Sequence, residues 1–434
     1  MSSVKRLLAG VVVLTGLTAG TILVYNGVSR DRGYRLLIRQ GEASLAQGQT
    51  FQAIEAFSGA LALKPASMLA HLKRGETYKR RGDLQAALPD LQTANSLDPT
   101  ATRPWEELGD VNYALERDAA AVQAYESYLR LDSQSARVLY KLGLARYRLG
   151  NPEASIATLR QAVVIDERFA EAYYLLGLCL SDLDRHLEAI QALERTVALE
   201  PALAPPREKL ADLYAGQGRH QEEVQQLEAL AVLDPARVER HIALGLGYAR
   251  GDHSDMAVMA LGRAAERLPN QPGVYIALGR VWLEAAQERR DPSALRKALE
   301  ALQPIAVRPS APSDALALYG RALLLAGQPQ RAEQILRIAV SRLPVDPQTF
   351  LDLSEAAQRL DHLDLAREAL VQRDALMSDD DRDRGTRTIL IGDLSMRLND
   401  VAGAVRWYER ALATSPDDAE LLRKLDQARR RLPS

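Results

Sequence analysis

The chain has 434 residues, with 55 basic and 57 acidic side chains, a net charge of −2 and one cysteine. The charge balance excludes a global electrostatic pull toward nucleic acid or acidic surfaces. The lone thiol, Cys179, excludes an intramolecular disulfide or a multi-cysteine metal cluster. A globular chain of this length would hold two or three domains, a bound that a repeat array escapes because each unit contacts only its neighbours.

The first element is apolar. Lys5 and Arg6 precede an uncharged stretch from Leu7 to Val28, long enough for the roughly 20 apolar residues that span a bilayer. Residues 1–28 read as an uncleaved signal anchor, a single transmembrane helix, followed by a juxtamembrane linker over 29–33. A cleaved signal peptide and a core helix are the competing readings. Cleavage is disfavoured because the apolar run continues past the small residues Thr18, Ala19 and Gly20. The basic pair before the span points to an extracytoplasmic, periplasmic solenoid. Arg30, Arg32, Arg35 and Arg39 argue the other way, although two of them fall on the first repeat helix. Gly16 and Gly20 have GxxxG spacing, a contact through which membrane helices form homodimers.

From Tyr34 the sequence repeats every 34 residues. Position 8 of successive units is Gly41, Gly75, Gly109, Gly143, Gly177, Ala211 and Gly245. Position 20 is usually alanine, position 24 is Phe, Tyr or Leu, and position 32 is proline in five of these seven units, with Ser133 and Glu167 in the others. An eighth unit has Gly279, followed by an insertion near 286–292 before Ala298 restores the phase. The ninth is regular at Gly320, Ala332 and Leu336. The tenth, 347–384, is irregular, with Ser354 at position 8 and a polar run, Ser378–Arg384, in place of its proline. The eleventh returns to form with Gly392, Ala404, Tyr408 and Pro416. A period in this range marks stacked supersecondary units. Glycine inside a helix costs about 1 kcal/mol relative to alanine, so a helical chain that repeats it needs close packing there. Positions 8 and 20 read as the contact within a unit, 24 and 27 as the contact with the next. Proline at 32 reads as the end of the second helix.

Residues 419–434 read as a capping helix over the last unit's apolar face. Acidic residues stand at its start and arginines toward its end, as suits the helix dipole.

The pattern resembles the tetratricopeptide repeat family. The second unit carries it well, with Gly75, Tyr78, Ala87, Leu91, Ala94 and Pro99. The resemblance covers 34–418, about eleven units. It implies an all-α fold, a right-handed α-solenoid of helix-turn-helix units with a concave groove, here behind an N-terminal transmembrane helix.

No catalytic or metal set emerges. The histidines, His71, His186, His220, His241, His253 and His362, fall at positions 4, 16 and 17 over five units, without the convergence a shared centre needs. Gly245–Gly251 has the wrong spacing for a dinucleotide loop. Ser378–Arg384 lacks the sixth-place glycine and closing glutamate of a calcium loop. No cofactor, no metal and no nucleic-acid partner are expected, and the chain reads as a non-enzyme.

The resemblance places positions 2, 5, 9, 12 and 13 of each first helix on the groove. Tyr113, Tyr140, Tyr147 and Tyr174 fall there, near Arg103, Arg137 and Arg148, residue types favoured as interface anchors. Glu42, Glu76 and Asp110 at position 9 disfavour capture of an acidic C-terminal tail. The expectation is a membrane-tethered scaffold or adaptor, binding an extended segment or helix of a partner protein in assembly of a cell-envelope complex. The alternative is a substrate-receptor or regulatory subunit of a polysaccharide-synthesis, secretion or proteolysis machine.

Overall fold

The structure, a computed structural model, describes residues 27–377, 384–413 and 415–432. Nearly all of the expected membrane span, including Gly16 and Gly20, lies outside the described residues, and so does the acidic connector from Ser378. Among the described residues no helix is long and apolar enough to cross a membrane. These residues form 23 α-helices and no strand.

The chain divides into two bodies, Met1–Pro206 and Arg207–Ser434. In the first, α1 (27–46) pairs with α2 (Thr50–Leu63), α3 (Met68–Arg81) with α4 (Leu84–Leu97), and α5 (Thr102–Ala114) with α6 (Asp118–Leu131). The pairs α7 (Ala136–Arg148) with α8 (Pro152–Ile165) and α9 (Ala170–Asp182) with α10 (His186–Leu199) complete it. The division falls inside α11 (Ala204–Gly216), which precedes α12 (His220–Leu233). The second body continues with α13 (Val238–Arg250) on α14 (Ser254–Arg267), α15 (Pro272–Arg289) on α16 (Pro292–Ala306), and α17 (Ser313–Leu325) on α18 (Pro329–Val340). It ends with α19 (Pro347–Arg359) on α20 (Leu363–Leu376), α21 (Arg384–Arg397) on α22 (Val401–Leu412), and α23 (Ala419–Arg430) against α22. First helices of successive units also touch, along α13, α15, α17 and α19 and at α3–α5 and α7–α9, so they make up one layer of each body.

The periodic glycine is explained by its own unit. A β-carbon on Gly143 would lie 2.8 Å from Leu159 Cγ, one on Gly177 2.7 Å from Leu193 Cγ, and one on Gly320 2.6 Å from Leu336 Cγ. Position 24 therefore sits over the position-8 glycine of its own unit, whereas the sequence assigned it to the next. Each glycine costs about 1 kcal/mol of helix propensity, and a fully buried leucine contributes about 1.5–3 kcal/mol. The exchange favours glycine. In the sixth unit Ala211 fills the slot, and Leu227 lies against Gly247 of α13, within 2.7 Å of where a β-carbon there would stand.

Two further positions recur. The turn between paired helices needs a left-handed residue at position 15, supplied by Gly48, Gly82, Gly150, Gly218 and Gly327, or by Glu116, Asp184, Asp252, Asp361 and Asn399. The second helix ends at position 30, and the residue that caps it stands at position 31. Asp98, Asp132 and Asp166 accept hydrogen bonds from the backbone N–H two residues on, at 3.0, 3.0 and 2.9 Å. The helices before Ser133 and Glu167 stop at the same place as the one before Pro99, so proline is not what ends them. The aspartate turn does so in each case.

Two boundaries differ from expectation. Residues 29–33, read as a linker, are helical and continuous with α1. The insertion near 286–292 mostly extends α15, to 18 residues where α17 has 13.

Candidate functional site on the first-helix face

In the first body the expected anchors bond within the chain. Arg148 stacks on the Tyr113 ring at 3.9 Å, donates to the Tyr113 carbonyl at 2.5 Å, and pairs with Asp118 at 2.6 Å. Arg103 pairs with Glu76 at 2.5 Å, and Arg137 Nη2 donates to Glu106 at 2.8 Å. Tyr140 packs on the Phe169 ring, centroids 5.1 Å apart. The Tyr147 hydroxyl donates to Asp182 at 2.7 Å, which with burial pushes its pKa up to about 12. Tyr174 is half-buried and close enough to Tyr147 to act on it electrostatically. Thus Tyr113 and Arg148 form one unit and Tyr147 and Tyr174 another, while Arg103 and Arg137 are separate bridges between successive first helices.

The position-9 carboxylates are also matched. Glu42 meets Lys73 at 3.2 Å and Glu76 meets Arg103. Asp110 lies between Lys141 at 2.8 Å and Lys79 at 3.0 Å, and accepts from the Tyr125 hydroxyl at 2.9 Å. Burial works to raise the Asp110 carboxyl, but the lysines outweigh it and hold it below its ordinary range. Tyr125 is pushed upward by burial and by that carboxylate. Repulsion of an acidic tail by these groups is therefore weaker than the sequence suggests, because each carries an internal counter-ion.

The same triad recurs at the far end, where Asp393 accepts from Tyr408 at 2.7 Å and from Lys424 of α23 at 2.7 and 2.9 Å. Tyrosine occupies position 24 in both units. Its ring fills the glycine slot and its hydroxyl reaches position 9.

The second body holds a different arrangement. A cavity of about 390 Å³ opens between α15, α17 and α19, within the size range of ligand pockets. Leu283, Ala317 and Leu318 give it apolar walls, and charged groups ring them. Asp352, 6% exposed, accepts from Gln348 Nε2 at 3.1 Å. Its other oxygen stands 4.0 Å from Arg321 Nε, beyond hydrogen-bond range. Burial pushes Asp352 up to about 6, against the smaller opposing effects of Gln348 and Arg321, and burial also raises Glu284.

Sequence reasoning missed this site. Position 9 changes sign from Glu42, Glu76 and Asp110 to Arg280 and Arg321, which is a readable signal. The insertion, however, hides how units eight to ten come into register.

Three of the histidines tie successive units together. His71 and His241 donate to the carbonyls of Pro65 and Pro235 at 3.0 and 2.9 Å. His362 bonds Glu333 at 2.7 Å. Among the described residues no three His, Cys, Asp or Glu side chains converge as metal ligands.

Stacked helical hairpins with one layer of first helices define a helical repeat protein. Residues 38–102, 72–136 and 140–205 match the profile of the tetratricopeptide repeat family. The chain belongs to that family. The protein called MamA, known from a crystal structure, is 30% identical over 39% of this chain and 92% of its own, with a TM-score of 0.36. YrrB, described as a repeat protein of this family with an unusual peptide-binding site, is 22% identical over 43% of this chain and 97% of its own, TM-score 0.39. A heat-shock cognate co-chaperone of Aspergillus fumigatus is 28% identical over 87 residues, 20% of this chain. The chain spans about a quarter of that relative's length, 26%.

Proposed function

We propose that this protein is a non-catalytic scaffold that holds an extended segment or helix of a partner protein against its first-helix face. One observation carries the reading. In the first body the expected anchors and the position-9 carboxylates of that face are matched internally, whereas the α15–α17–α19 cavity pairs apolar walls with a buried carboxylate whose cation, Arg321, stands 4.0 Å away. Such a site gains most when a ligand supplies the missing partner. The apolar segment Leu7–Val28 supports tethering at a membrane, which raises local concentration for partners in the same membrane. Assembly of a cell-envelope complex is the setting we favour, with the repeats on the extracytoplasmic side.

The test is crosslinking in cells that express the full chain, followed by recovery of partners. Substitution of Tyr140 and Tyr147 by alanine, or of Ala317 on the cavity wall by tryptophan, should remove partners that a substitution on the opposite surface leaves in place. Equal recovery by all variants would remove the first-helix face as the binding surface. Protease accessibility of a C-terminal tag, compared in intact spheroplasts and lysed cells, tests the sidedness.

A further inference from the structure

Resting on the scaffold reading, we infer that the α15–α17–α19 cavity receives a lysine or arginine side chain of the partner segment, with Asp352 as its buried counter-ion. Three observations support it. The lining is acidic in balance, with Arg280 and Arg321 set against Glu284, Asp314, Asp346 and Asp352. Its walls are apolar along Leu283, Ala317 and Leu318, which suits the methylene stem of a long cationic residue. At the cavity margin lies a carboxylate nine-tenths buried, with one oxygen out of hydrogen-bond range of any cation.

A bare cation would not use the apolar walls, and an acidic ligand would meet the surplus of carboxylates. Arg321 is already committed as a loose counter-charge, since its field reaches both Asp352 and Glu284. The groups that act on Asp352 are Gln348 and Glu355 from its own helix, Asp346 at that helix's N-cap, and Arg321 from α17. Only Arg321 is positive, and it is not in contact. An incoming ammonium or guanidinium completes the ion pair that the fold leaves open.

The experiment is selection of a random peptide library on the immobilised full chain. Affinities of the recovered peptides are then measured on the wild type, Asp352→Asn and Glu284→Gln. The expected result is a consensus with one basic position. Replacing that residue by glutamine, or using Asp352→Asn, weakens binding at least about tenfold, while thermal stability of the variant at neutral pH is equal or higher. That combination separates a binding carboxylate from a structural one, whose loss would lower stability. Peptides without a basic position, or with affinity unchanged in Asp352→Asn, overturn the cationic pocket and leave the scaffold reading standing. No selected peptide at all overturns both. Glu284→Gln, at the more exposed edge, should show a smaller loss of the same sign.

Discussion

At the scale of single residues, glycine has opposite meanings at two helical sites. Gly143 faces the buried Leu159 at sub-contact distance, while nothing lies within 4 Å of a β-carbon built on Gly262 of α14. Gly143→Ala gains about 1 kcal/mol of helix propensity but overpacks a core that resists by about 1–3 kcal/mol, so it should destabilise. Gly262→Ala has only the propensity gain and should stabilise by about 0.5–1 kcal/mol. Urea denaturation of the two variants checks the reversal of sign. Asp352 gives a second prediction. Its folded pKa of about 6 stands above the ordinary value of 3.8, so the folded state holds the proton more tightly than the unfolded one. Stability of its body should fall as pH rises from about 4 to 6, by at most roughly 3 kcal/mol, then level off. Asp352→Asn should flatten that slope, as measured by melting temperature against pH.

At the scale of elements, the helix pairs and their partner positions were legible because packing imposes the period on the sequence itself. Gly177 and Leu193 announce each other sixteen residues apart. The turn was equally periodic but went unread. Gly48, Gly82, Gly150 and Gly218 recur in register, and aspartates in the alternate units tolerate the same left-handed backbone. Glu116, at φ 58°, tolerates it least, so Glu116→Gly should stabilise by up to about 1 kcal/mol, visible as a raised denaturation midpoint. The candidate site was half legible. The positions of Arg103, Arg137 and Arg148 on a common face follow from the repeat, but their engagement by Glu76, Glu106 and Asp118 depends on inter-unit distances that no spacing encodes. Asp352 was hidden further, because Arg321 lies one unit away and Glu284, on the same cavity, two units away across a phase shift. Residues 29–33 misled for the opposite reason, since their charges resemble a linker although they continue a helix.

At the scale of the molecule, stability in a stack is a sum over units and their interfaces, so damage should stay local. Removing 419–434 takes Leu421, Leu425 and Ala428 from the cluster they share with Tyr408 and Ala411, several kcal/mol of burial at about 1.5–3 per large side chain. Limited proteolysis of the truncated chain should open α21 and α22 first and leave α15–α18 protected. The final helix also departs from the packing slot that the other first helices share. Ala419 falls where a twelfth unit would begin, so α23 is a first helix and Asp426 stands at its position 8. There Leu422 and Asp426 are solvent-facing, and Asp426 is bridged to Arg430 at 2.6 Å. The slot that elsewhere receives the large side chain of its own unit's second helix carries an exposed ion pair here, and a helix laid over it would have to displace that pair before a leucine could sit there.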